Sequence, residues 1–186
     1  MTSRIEFEDL LSSATYAWNQ QDYEGAVAIL ERIPATLKPE WRSQVFYFLG
    51  MVRRDYGDLE GSLRDFENGL ALSAEKSFGR YHLQVAIGEH FESIQQGSSA
   101  LRWYREAINS CVEGSDFSGN TALSSFLRLC NGKIPRQDLR SVEAALVKSW
   151  RVLDLPPDKL DLSDVSESIE RLEAGISNQF EQIING

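Results

Sequence analysis

Apolar and small residues recur at steps of three and four along most of the chain, most clearly between Phe46 and Leu72. Phe46, Leu49 and Gly50 fall on one helical face. After the breaker Tyr56-Gly57-Asp58, Leu59, Ser62, Leu63, Phe66, Gly69 and Leu70 fall on another. Gly50, Ser62 and Gly69 are small enough to let a neighbouring helix come close. The spacing predicts two helices joined by a tight turn and packed along a close seam.

The same arrangement occurs twice more. Upstream, Leu10, Ser13, Ala14 and Ala17 precede Ala26, Leu30 and Ile33; downstream, Ile87, Gly88 and Phe91 precede Ala100, Tyr104 and Ala107. Ala14, Gly50 and Gly88 are 36 and 38 positions apart (50−14 and 88−50), and Ala26, Ser62 and Ala100 repeat both intervals (62−26 and 100−62). Two markers keeping one spacing predict a repeated helix pair.

At these positions the chain resembles the tetratricopeptide repeat (TPR) family. The central repeat carries Phe46, Leu49-Gly50, Gly57, Ser62, Phe66 and Gly69, and the third carries Ile87-Gly88, Phe91, Ala100, Tyr104 and Ala107. The first has Ser13-Ala14 in place of Leu-Gly, with Pro39 at its exit. Arg53 stands where the family places an aromatic, and Gln84 where it places a large residue. The resemblance covers about residues 7–114. It implies an all-α, right-handed superhelical array of antiparallel helix pairs, with repeats at about 7–40, 43–76 and 81–114.

Taken in order, the pattern predicts helices over 5–20, 23–33, 40–56, 59–73, 79–95, 98–112 and 121–131. Pro34 and Pro39 stop the second, and Asn131-Gly132 closes the seventh. Pro135 is placed at the start of the next helix, whose stripe is Leu139, Val142, Leu146, Trp150 and Leu153. The segment 119–153 reads as a degenerate helix pair. A strongly amphipathic helix over 163–184, on Val165, Ile169, Leu172, Ile176, Phe180 and Ile183, is suited to cap the array. No alternation of period two appears, so no sheet is expected.

The chain has 186 residues, 42% hydrophobic and 25% charged, and reads as one globular domain. Charges interrupt residues 1–10 where a signal peptide needs an apolar run, and no segment approaches a membrane-spanning length, so a cytoplasmic protein is expected. Cys111 and Cys130 fall in apolar helical contexts and read as reduced, buried small side chains; a disulfide is the lesser reading.

Charge is uneven. Residues 128–153 hold six basic against two acidic side chains, a net +4; residues 154–186 hold two against eight, a net −6. The acidic segment is either a solvated helix face beside the basic one or a surface that steers a basic partner. With a formal net charge of −9 and a pI of about 4.8, nucleic acid and anionic lipid are not expected partners.

Motifs for catalysis and cofactors are missing: no P-loop, no GxGxxG after a strand, no HExxH and no GxSxG. His82 and His90, with Glu89 and Glu92 nearby, project in different directions and do not form a metal set. A non-enzymatic module without cofactor is expected.

In arrays like those the chain resembles, the first helix of each pair lines a concave groove. The face opposite the packed one carries Glu8, Leu11, Thr15 and Trp18, then Gln44, Tyr47, Met51 and Arg54, then His82, Val85, Glu89 and Glu92, each at spacings of 3, 4 and 3. Leu11, Trp18, Tyr47, Met51 and Val85 would form an apolar stripe. Glu8, Glu89 and Glu92 against Arg54 would make it net negative. The Lys, Arg and Asn set with which family members clamp a peptide carboxylate is missing. The expected function is a protein-interaction module, an adaptor or scaffold holding a segment with basic and apolar character. The alternative is a dedicated binder of one partner, such as an immunity protein or a secretion chaperone.

Overall fold

The computed structural model describes residues 4–34, 36–75, 77–113 and 119–174, with the Phe78 side chain left out. Those residues form α1 (Arg4–Asn19), α2 (Tyr23–Glu31), α3 (Pro39–Tyr56), α4 (Leu59–Leu72), α5 (Phe78–Ser93), α6 (Gly97–Glu113), α7 (Asn120–Leu129) and α8 (Leu139–Val152). A single 3-10 turn, Pro157–Lys159, leads to a ninth helix, α9, described over 165–174. No strand occurs among the described residues. Of the helix expected over 163–184, Ile176, Phe180 and Ile183 lie outside the described residues.

The turns explain the repeat. Gln21, Gly57, Gln95 and Asn131 all have positive φ, between 51° and 93°, and they step by 36, 38 and 36 (57−21, 95−57 and 131−95). One residue further on, the N–H groups of Asp22, Asp58, Gln96 and Gly132 donate to the carbonyls of Ala17, Arg53, Phe91 and Leu127 at 2.8–3.1 Å. This closure satisfies carbonyls that a helix end otherwise leaves open. Asp22 and Asp58 then cap the next helix, each carboxylate accepting from the N–H of Gly25 or Gly61 at 2.9 Å. A side chain at either glycine would collide with that carboxylate.

Packing divides the chain into two compact units, Met1–Ala74 and Glu75–Gly186, where the sequence pattern reads as a single domain. In the first, α1 to α3 enclose Phe7, Leu11, Ala14, Ala26, Leu30, Val45, Leu49 and Val52. Gly50 of α3 lies on the ring of Phe66 of α4, which is fully buried. Arg53 bridges three helices: its guanidinium bonds Asp65 of α4 and, at 2.8 Å, Glu31 of α2. The Asp65 side chain is only 5% exposed. Burial raises its pKa by more than Arg53 lowers it. An arginine therefore fills a site that the family resemblance gives to an aromatic ring, and its stem supplies packing there.

In the second unit, Gly88 of α5 lies on Tyr104 of α6 as Gly50 does on Phe66. α7 and α8 both pack chiefly on α6 rather than on each other. Val165, Ile169 and Leu172 of α9 are buried in the same core as Val142, Leu146 and Trp150 of α8. Pro135 does not start α8. The Asp138 N–H closes a turn onto the Pro135 carbonyl at 2.9 Å, and the helix begins after it. The Asp138 carboxylate accepts from Arg105 of α6 through both oxygens, at 2.6 and 2.8 Å, which ties the start of α8 to α6. Cys111 and Cys130 are not joined in a disulfide, and burial raises the pKa of each thiol.

Candidate functional site

In the first unit, α1 and α3 present the expected rows side by side. At one end, Arg4, Phe7, Glu8, Leu11, Trp41 and Gln44 line a shallow hollow. At the other, the Trp18 indole N–H donates to Asp55 at 2.9 Å, and Arg54 lies 3.9 Å from the same carboxylate. The Thr15 hydroxyl donates to the Leu11 carbonyl at 2.8 Å and so is turned back on its own helix. Tyr47 meets Phe48 edge-on at 5.7 Å and lies 6.3 Å from Phe66. Trp18, Tyr47, Met51 and Arg54 are half-buried, and Gln44 is exposed.

In the second unit, α5 places Glu89 and Glu92 half-buried on its open side. His82 is half-buried too, and burial lowers its pKa, which keeps the ring neutral near pH 7. Glu92 accepts from both Arg128 of α7 (one of these bonds at 3.0 Å) and the Tyr104 hydroxyl at 3.0 Å. The hydrogen bond from Arg128 chiefly holds the Glu92 carboxyl below its ordinary range.

Two expected groove residues are core instead. Leu11 is 8% exposed and Val85 5%, and each is enclosed by its own unit. An edge position of a helical stripe is covered whenever the neighbouring helix leans over it, and spacing alone does not specify that lean. The expected negative charge is also reduced: Glu8 pairs with Arg4 at 2.7 Å and Glu92 with Arg128.

Other residues were missed. Thr121, Ser125 and Arg128 of α7 stand 36 positions after Val85, Glu89 and Glu92 (121−85, 125−89 and 128−92). The Glu92–Arg128 bond shows that α5 and α7 lie as neighbouring rows. Ser166, Glu170 and Glu173 of α9 follow at a further 45 (166−121, 170−125 and 173−128), and both triplets line one hollow. The signal was present as the 4, 3 spacing continued into 121–128. It was hidden because that segment lacks the small–aromatic–small signature.

No protein-family model and no curated protein matches the sequence. Solved structures do share its fold. BtubC (BKLC) from P. vanneervenii superposes with a TM-score of 0.62 at 13% identity, over 98% of this chain and 82% of that one. MamA superposes with a TM-score of 0.55 at 16% identity, over 78% of this chain and 74% of that one. Both are TPR-like helical-repeat proteins. The fold of this chain is TPR-like. At such identities the likeness is one of fold alone, and it agrees with the recurring turns and the two glycine–ring seams. Among the described residues of this TPR-like chain, no helix is long and apolar enough to cross a membrane.

Proposed function

We propose that this chain is a non-enzymatic protein-interaction module, an adaptor or scaffold that holds a protein segment on the open faces of its first helices. The observation that carries this reading is the Glu92–Arg128 contact. Side chains one repeat apart touch, so equivalent positions on successive first helices form a continuous surface within the unit. A surface of evenly spaced parallel helices suits an extended or helical segment. In the first unit the corresponding face offers the half-buried rings of Trp18 and Tyr47 and the Met51 thioether, groups that bury area at low entropic cost. The partner on this reading combines apolar anchors with basic character.

A photo-crosslinking residue at exposed Gln44 tests the proposal in the native cell, with Ala28 on the outer side of α2 as the control position. Covalent adducts from position 44 and none from 28 are expected, with the protein identified by mass spectrometry. Adducts only from position 28 would place binding away from the first-helix face. A dedicated single-partner role is the second reading, supported by the concentration of acidic residues in 154–186. One stoichiometric adduct rather than several distinguishes it from a general adaptor.

A further inference from the structure

One edge of the first unit, where α1 and α2 have no further helix against them among the described residues, is built like an interior face. Adding the 36-residue step to Ser13, Tyr16 and Ile29 gives Leu49, Val52 and Asp65 (13+36, 16+36 and 29+36). In the second repeat α2 lies against α3 and α4 at this level, with Glu31 bonded to Arg53 at 2.8 Å, and Val52 is 1% exposed. Tyr16 is 69% exposed. Its ring stands at a shallow hollow of about 570 Å³, lined also by Ser12, Ser13, Ala17, Gln20 and Ile29. The ionic pair of the inner seam, Arg53 with Asp65, has Ala17 and Ile29 as its counterparts here (17+36 and 29+36). Asp22, the charged residue of the lining, is engaged in capping Gly25, and the Ser13 hydroxyl donates to the Asp9 carbonyl at 2.8 Å.

We infer that a second copy of the chain docks on this edge, α1 against α1 in antiparallel register, with the Tyr16 ring of each copy over Ser13 of the other. A two-fold contact needs a self-complementary patch. In this register the positions that face each other add up to 29: Ser13 with Tyr16, Ser12 with Ala17, and Asp9 with Gln20. A ring then meets a small side chain, two small side chains let the helices approach, and a carboxylate meets an amide that can donate to it. Charge favours the same occupant. Two copies carrying −9 each approach at least cost where carboxylates do not oppose one another. The two Asp9 side chains would be 11 residues apart along the pair (20−9), about 16 Å at 1.5 Å per residue, beyond the screening length of about 10 Å at 0.1 M salt. One helix and a shallow hollow bury less than the roughly 1,200 Å² of a standard interface, so the dimer is weak and reversible. The open row Glu8, Leu11, Thr15 and Trp18 takes no part, so the inference is independent of the proposed function.

Sedimentation velocity of the full chain over about 5 to 200 µM, the range of a weak dimer, is expected to show reversible association. Tyr16→Ser should weaken it at least about tenfold. The variant should keep wild-type helical circular dichroism, since Tyr16 is exposed, which separates lost association from lost folding. Leu162→Ser, at another exposed apolar position, should leave the dimer unchanged. Gln20→Lys would set an ammonium against Asp9 of the other copy and should strengthen the dimer about threefold at low salt. Ala71→Lys makes the same change in net charge at an exposed position of α4 and should have no such effect. A chain that stays monomeric throughout overturns the inference and leaves the edge to a helix of another protein. A dimer that Tyr16→Ser does not weaken overturns it too. Equal strengthening by the two lysine variants would reduce the register to bulk charge and overturn the α1 pairing.

Discussion

Gly50 stands so close to Phe66 that a Cβ atom at position 50 would enter the ring, and 38 residues later Gly88 has the same relation to Tyr104, at 2.7 Å from the ring. Replacing either glycine by alanine would normally gain up to about 1 kcal/mol of helix propensity. Here the ring is fully buried and has to move, a cost of about 1–3 kcal/mol. Gly50→Ala and Gly88→Ala are expected to lower the denaturant midpoint, while Gly79→Ala, with no atom within 4 Å of its new Cβ, is expected to hold or raise it. Three equal midpoints would remove the seam from the account.

Arg53 is the one cation bonded to the buried Asp65 carboxylate among the described contacts. Arg53→Met should cost about 3 kcal/mol, because it leaves that carboxylate unpaired rather than because an ion pair is intrinsically strong. Adding Asp65→Leu should recover most of the loss. Urea unfolding of both variants checks this, and a double variant no more stable than the single one would contradict it.

Glu92 titrates in a predictable direction. Bonds from Arg128 and Tyr104 depress its folded-state pKa below the ordinary 4.5. A depressed carboxyl contributes stability above the unfolded value and loses it as pH falls through the folded one. Glu92→Gln should therefore be less stable than wild type at neutral pH, with the gap closing below pH 4.5. A gap that persists unchanged to pH 3 would show that the loss is packing and not charge.

Ile169 and Leu172 of α9 are fully buried against α8. Ile169→Ala should cost about 2–5 kcal/mol. Removing residues from 163 onward should expose Val142, Leu146 and Trp150 and drive self-association, visible in sedimentation velocity. A truncated chain that stays monomeric and equally stable would show that α9 covers nothing essential.

On the aromatic face, Met51→Ala should raise the dissociation rate of the crosslinked partner about fivefold, a loss near 1 kcal/mol. Stability should change little, since Met51 is only half-buried. Unchanged kinetics would leave the α1/α3 face without a role in affinity.

The sequence by itself determined the helices, their order and the repeat period. Those features depend on contacts spanning five residues or fewer, such as the Asp58 cap on Gly61 and the Asp58 N–H on Arg53. It also marked Gly50 and Gly88 as close-contact positions, since only a glycine tolerates a ring pressed on the helix axis. The tertiary structure decided which members of each open row stay open. Leu11 and Val85 sit at the same spacing as Thr15 and Glu89, yet both are covered, because the lean of the adjacent helix sets burial at the edge of a stripe. It also decided that Arg53 spans three helices, that Glu92 is bound to Arg128, and that α7 and α9 extend the face of α5. Each of these depends on residues brought together from 12 to 45 positions apart, where a helical period no longer specifies which side chains meet.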